Sequence, residues 1–214
     1  MPVEIEGMEF TGFAGFDIGR LPSLTYSGRV AWLRTRFDLV FLTPFSKFVG
    51  LDNECYVWLC VVNLLTTAVE ALADFEFEGT GRERFSKFVE KYFSPDFRRG
   101  VLKLDDPIKH IAVTPAEHLY QFFRCGLAHS FCIEWGGLLH REDGAIDYLF
   151  EREPMPGQKS LGIVPRELVK DFLSAVDKFF KESASWSTGS VEAMKFDSHF
   201  REIFLISGAP TPSP

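Results

Sequence analysis

Residues 114–137 read TPAEHLYQFFRCGLAHSFCIEWGG, and this stretch carries its own helix start. Thr114 supplies a capping hydroxyl, Pro115 suits the first turn, and Glu117 can return a bond to the Thr114 backbone. A helix therefore begins here and is expected to end at Gly136-Gly137. Inside it, Arg124 and His129 place a permanent cation and a titratable imidazole among apolar neighbours. Five residues on a helix give roughly 140° of rotation and about 7.5 Å of rise. The two side chains do not share one face, although the long Arg124 side chain can bend past Ala128. Gly126 and Ala128 are small, so another helix, or the same helix of a second subunit, can approach closely.

On the N-terminal side of this helix, residues 1–28 are interrupted by Gly7, Gly12, Gly15, Gly19 and Gly28 and read as an irregular, aromatic arm. Residues 32–41 look helical, and Pro44 is expected to end or kink that helix, because its ring removes a donor and clashes with the preceding turn. From Asp52, a plausible N-cap, residues 52–75 form a long helix that is apolar on most of its circumference and must be central. Asp52, Asn63, Thr66, Thr67 and Glu70 interrupt its apolar run, so it reads as a buried core helix and not a membrane span. Residues 83–92 repeat Phe85, Phe88, Val89 and Tyr92 at helical spacing, and 97–113 read as a loop.

On the C-terminal side, residues 138–150 read as a small β-hairpin turning at Asp143-Gly144. A loop at Pro154, Pro156 and Gly157 follows. Pro165 opens an amphipathic helix with Leu168, Val169, Phe172, Val176, Phe179 and Phe180 on its apolar side. A polar linker over 183–190 and a last helix over 191–206 complete the pattern. The expected class is mainly α, a helical bundle with one hairpin after the helix that carries Arg124. The expected organisation is an arm with a short helix packed on the core over 1–50, a helical domain over 51–206, and a disordered tail over 207–214.

Composition narrows the function. A chain of 214 residues, 46% hydrophobic and 25% charged, can bury one sizeable core. Its 23 Phe imply a thick core, an apolar interface, or both, which favours a homo-oligomer. A formal net charge of -7 argues against broad electrostatic capture of nucleic acid and against sequence-specific DNA recognition, while leaving room for a local basic cleft. The first six residues lack the basic start and apolar run of a secretory signal, so a cytoplasmic protein without membrane association is expected. Cys55, Cys60, Cys125 and Cys132 have no small-domain disulfide spacing and read as reduced.

The string Phe123-Arg124-Cys125-Gly126-Leu127-Ala128-His129 resembles the Arg-x4-6-His signature of the HEPN superfamily, all-helical proteins that include many metal-independent endoribonucleases and some members that have lost activity. The resemblance covers this short motif, its capped helix, the long apolar helices, and the flanking Tyr120, Phe122 and Phe123. It implies a HEPN-like bundle acting as a homodimer whose motif pairs meet at the interface and cut RNA without metal. It further implies a toxin-antitoxin or defence context with a regulatory protein partner. The expected catalytic residues are His129, as general acid/base, and Arg124, as phosphate clamp. Active members usually carry a polar residue after the Arg, and here that position is Cys125, a weak hydrogen-bond donor.

From the residues alone, the pair is also compatible with a structural ion-pair donor and a satisfied core histidine. A non-catalytic HEPN-like interaction module is therefore the alternative function, and a structural protein with a coincidental motif comes third. Asn63, Thr67, Glu70 and Asp74 form a narrow polar stripe on the long helix. The stripe either faces solvent or brings Glu70 to orient His129 or pair with Arg124; Asn63, Glu70 and Cys125 are accordingly supporting site residues. Arg82, Arg84, Lys87, Lys91, Arg98 and Arg99 form the main basic cluster and the candidate RNA-binding surface. Cys125, His129 and Cys132, with His118 before them, invite a metal reading. A straight helix spreads them over roughly 10 Å or more, too far for one tetrahedral ion, so no metal and no cofactor is expected.

Overall fold

A computed structural model describes residues 3–5, 8–10, 18–49, 55–95, 114–125, 137–139, 149–155 and 158–204. They are mainly helical. The chain divides into two compact units, Met1–Val40 with Phe179–Pro214, and Phe41–Lys178.

In the first unit, β1 (Val3–Ile5) and β2 (Met8–Phe10) pair antiparallel, with Val3 opposite Phe10 and Ile5 opposite Met8. The irregular arm expected over 1–28 thus contains two paired strands and a 3-10 turn over Ile18–Ser23. Helix α1 (Tyr26–Phe37) starts six residues earlier than the apolar spacing indicated, because Thr25 caps it: its hydroxyl accepts the Gly28 N–H at 3.1 Å. α1 buries Val30, Trp32, Leu33 and Phe37. The last helix of the chain, Val191–Phe204, buries Ala193, Phe196 and Phe200. Trp32 meets Phe200 and Phe204 edge-on at 5.5 and 4.9 Å, and Tyr26 meets Phe196 at 5.7 Å, so much of the aromatic content is spent on T-shaped packing. The buried Arg29 guanidinium pairs with Asp197, which also accepts from Arg201 at 2.9 Å.

After α1 the chain passes through π-helical turns over Asp38–Leu42 and resumes as α2 (Thr43–Val49). Pro44 explains the change: it cannot donate to the turn before it, and the wider π turn accommodates the missing bond.

The second unit is built on α3 (Cys55–Ala73). Val61, Val62, Leu65, Ala68, Val69 and Ala73 are wholly inaccessible, and each large aliphatic chain so buried contributes about 1.5–3 kcal/mol. α3 packs against α4 (Gly81–Tyr92) and against the π-helical turns Leu119–Cys125 that continue α5 (Pro115–His118). α4 contributes Phe85, Phe88, Val89 and Tyr92 to the core, and 119–125 contributes Leu119, Phe122 and Phe123. The helix opened by Pro165, α6 (Pro165–Ser185), adds Leu168, Phe172 and Val176 to this unit. Asp171 of α6 takes the Ser94 N–H with both oxygens, at 2.8 and 3.0 Å, which anchors the chain where α4 ends.

Of the hairpin expected over 138–150, residues 140–148 with the Asp143-Gly144 turn lie outside the described residues, and the described ends pair with a third strand. β3 (Gly137–Leu139) and β4 (Leu149–Met155) lie on opposite sides of β5 (Gln158–Ile163), parallel and antiparallel to it respectively. The pairing of β4 with β5 runs to Met155 opposite Gln158. In register, Leu161 lies between Gly137 and Glu151, and Ile163 between Leu139 and Leu149. Pro154, read as loop, lies in edge strand β4 within the irregularity between Arg152 and Met155, where its missing donor is tolerated.

α6 runs to Ser185, so the linker expected over 183–190 shrinks to a turn. The Ser190 N–H donates to Ser187 O at 2.9 Å, and Gly189 takes the φ of +93° that the third position of a type II turn requires. Helix α7 (Val191–Phe204) follows directly, its first turn capped by Ser190. The predicted loop at 97–113 and tail at 207–214 lie outside the described residues.

Burial raises the Asp197 carboxyl, but hydrogen bonds from Arg201 and Arg29, with their charges, outweigh it and hold the group below its ordinary value. A depressed carboxylate stabilises the fold above its unfolded pKa and loses that contribution as pH falls through the folded value. Asp197→Asn is therefore expected to lower stability at pH 7 by about 1–3 kcal/mol and to narrow the gap to wild type below about pH 4. Urea midpoints of both proteins at pH 7 and pH 3 measure this.

Candidate functional site

The segment that carries Arg124 is fixed at its start by the local code read from sequence. Thr114 Oγ1 accepts the Glu117 N–H at 3.2 Å, and Glu117 Oε2 accepts the Thr114 N–H at 3.0 Å. The second Glu117 oxygen takes Arg82 Nη2 at 3.0 Å, joining the start of α5 to the first turn of α4. α4 has a matching capping box, in which Thr80 and Glu83 exchange the same two bonds. Both helices thus begin at defined residues.

Beyond His118 the chain widens into π-helical turns, although no proline lies between Pro115 and Pro154 to force them. Leu119, Phe122 and Phe123 enter the core, while Tyr120 and Arg124 lie half-buried against α3. There Glu70 receives the guanidinium: Arg124 Nε donates to Glu70 Oε2 at 2.7 Å, and Nη2 lies 2.6 Å from the same oxygen. The Arg124 and Glu70 side chains are 21% and 19% exposed, little enough to limit screening of the pair. Tyr120 Oη donates to Glu70 Oε1 at 3.5 Å, and its ring packs on Phe85 at 5.2 Å between centroids. Burial, then the Glu70 charge and Cys125, raise the Tyr120 hydroxyl, with Arg124 opposing them. Tyr120 is accordingly a protonated donor near neutral pH.

The structure brings together Glu70, Tyr120, Arg124 and Cys125, the last a half-buried thiol beside the Tyr120 hydroxyl. His129 lies outside the described residues, as do Cys132, Arg98 and Arg99. The polar stripe of α3 divides. Glu70 faces Arg124; Asp74 pairs with Arg84 at 2.6 Å; Thr67 is exposed and its hydroxyl donates to Asn63 O at 2.8 Å. Asn63 Oδ1 is buried and accepts no hydrogen bond from the described residues. His118 is fully buried and stacks on Phe122 at 4.3 Å.

The basic cluster is not an open track in its described part. Arg82 pairs with Glu117 and Arg84 with Asp74, while Lys87 donates to Glu78 O at 3.1 Å and Lys91 pairs with Glu76 at 2.5 Å. Acids that lie elsewhere in sequence return most of this charge, which a count along α4 alone does not reveal.

Two contributors were not singled out from the sequence. Tyr120 flanks the motif, and its i, i+4 spacing to Arg124 is the available sign that its hydroxyl shares the same partner. Gly81, the first residue of α4, approaches Glu70 and Tyr120 closely, and its position directly after a capping Thr80 is the only local signal. Among the described residues, no group of three or more His, Cys, Asp or Glu is gathered to hold a metal, and no helix is long and apolar enough to cross a membrane.

If the Glu70–Arg124 contact is energetically coupled, single Glu70→Ala and Arg124→Ala variants will each lose stability, and the double variant will lose less than their sum. The expected coupling is about 1 kcal/mol or more, read from a double-mutant cycle of denaturant unfolding.

No family model, curated protein or solved structure matches the chain.

Proposed function

We propose that this chain is a metal-independent endoribonuclease of HEPN type that works as a homodimer, with Arg124 and His129 acting on the RNA phosphodiester. The observation that carries the reading is the way Glu70 engages Arg124. A guanidinium has five N–H donors, and Glu70 takes Nε and Nη2 along one edge. Glu70 itself does not occupy the Nη1 edge, and in this reading that edge donates to the phosphate oxygens. An arginine whose plane is set by a carboxylate can meet a phosphate bidentately without first ordering itself. The π-helical turns around Arg124 also support the reading, since such turns recur at functional sites.

The chemistry follows from the residue types. The neutral His129 imidazole accepts the proton of a ribose 2'-hydroxyl, and the 2'-oxygen attacks the adjacent phosphorus. The P–O5' bond breaks, and an imidazolium returns a proton to the departing 5'-oxygen. The products are a 2',3'-cyclic phosphate and a 5'-hydroxyl. Arg124 donates to the non-bridging oxygens, where charge accumulates in the transition state. In the dimer, each subunit brings one Arg124 and one His129 to a shared cleft.

A second reading is a non-catalytic HEPN-like interaction module. It is favoured by the same ion pair, because the Glu70 charge offsets that of Arg124, and by the capture of Arg82, Arg84 and Lys91 by neighbouring acids. In that case the pair ties α3 to 119–125 and does no chemistry.

Incubation of the purified protein with a mixed RNA pool and a chelator separates the two. Ribonuclease activity predicts cleavage that falls by about 100-fold or more in folded Arg124→Ala and His129→Ala variants. An intact RNA pool in the presence of folded, dimeric wild type assigns the non-catalytic module.

A further inference from the structure

Gly81 occupies a place where its helix does not need glycine. It sits in the first turn of α4, where alanine is accepted and preferred by the helix itself. The space around it is another matter. A Cβ at this position would lie 2.9 Å from Glu70 Oε1 and 3.0 Å from Tyr120 Oη. These are the two atoms that meet each other at 3.5 Å, while the second Glu70 oxygen holds Arg124. The missing side chain of Gly81 is therefore the room in which the Tyr120 hydroxyl and the Glu70 carboxylate come together.

We propose that Gly81 and Tyr120 are positioning residues for Arg124, acting through Glu70: Gly81 leaves the space, Tyr120 fixes one carboxylate oxygen, and the other is thereby aimed at the guanidinium. This rests on the reading of Arg124 as the phosphate clamp. The Arg124 guanidinium also lies over the Tyr120 ring, 6.0 Å from its centroid, but the Tyr120 hydroxyl reaches the Arg124 donors through Glu70. A carboxylate held at both oxygens has one orientation about its terminal torsion, whereas one held at a single oxygen can turn. A methyl group at position 81 would displace the end of the Glu70 side chain and the Tyr120 hydroxyl, both of which can move without the backbone following. The fold then persists while the aim of Arg124 is lost.

The test compares wild type, Gly81→Ala, Tyr120→Phe and the double variant by two measurements. One is steady-state cleavage of an RNA oligonucleotide; the other is the Arg124 Nε–H signal in a side-chain 15N–1H spectrum, assigned with Arg124→Lys. Gly81→Ala is expected to stay folded, to lose the Arg124 Nε–H signal seen in wild type, and to fall in kcat by about 10- to 100-fold with KM little changed. Adding Gly81→Ala to Tyr120→Phe is expected to cost less than adding it to wild type, because one of the two displaced atoms is gone. A folded Gly81→Ala protein that keeps both the Nε–H signal and the wild-type kcat overturns the proposal. If wild type leaves RNA intact while the Nε–H signal still depends on Gly81, the ribonuclease reading falls and the positioning role stands. If wild type cleaves RNA and neither readout responds to Gly81, the positioning role falls alone.

Discussion

Glu70 is a carboxylate on a helix whose other inward positions are sealed, and this constraint organises the second unit. Val69 beside it and Ala73 one turn on are inaccessible, so the chain cannot rotate Glu70 into water without exposing its apolar neighbours. A half-buried charge in that position needs a cation and hydrogen bonds, or it costs several kcal/mol. Arg124 supplies the cation, Tyr120 the second hydrogen bond, and the first turn of α4 leaves the room for both. The register of α3 against 119–125 is thereby tied to one polar cluster within an otherwise apolar interface. Such clusters specify a geometry more than they add stability.

The same constraint connects fold to chemistry. A guanidinium gripped along one edge is neither a loose surface cation nor a fully consumed structural partner. It is oriented by Glu70 and partly exposed. The neighbouring basic residues behave differently: Arg84, Lys87 and Lys91 fold back onto acids and carbonyls of 74–79 and pin the connection between α3 and α4.

Local signals in the sequence translated into structure where the physics is local. Thr114-Pro115-Ala116-Glu117 predicted a capping box, and the two reciprocal bonds are present. The apolar run of α3 and the Phe85, Phe88, Val89, Tyr92 spacing of α4 predicted buried helices. The missed features depend on partners distant in sequence. The strand at 158–163 that pairs with both 137–139 and 149–155 has no local signal at 138–150. The π-helical turns at 119–125 have no residue signature such as Pro44 provides at 38–42. Glu70 could be suspected from the polar stripe, but its choice of Arg124 required the packing of α3 on 119–125. The role of Gly81 was invisible for the same reason, since nothing along α4 reports what lies across from its first residue.

The central claim is that Arg124, aimed by Glu70, acts with His129 on a ribose phosphodiester whose own 2'-hydroxyl is the nucleophile. The most direct measurement is the chemistry of the ends left on an RNA oligonucleotide cut in the presence of a chelator, read by mass spectrometry. A 2',3'-cyclic phosphate on one fragment and a 5'-hydroxyl on the other are predicted. Ends carrying a 3'-hydroxyl and a 5'-phosphate would contradict the account, because they require attack by water and not by the neighbouring ribose.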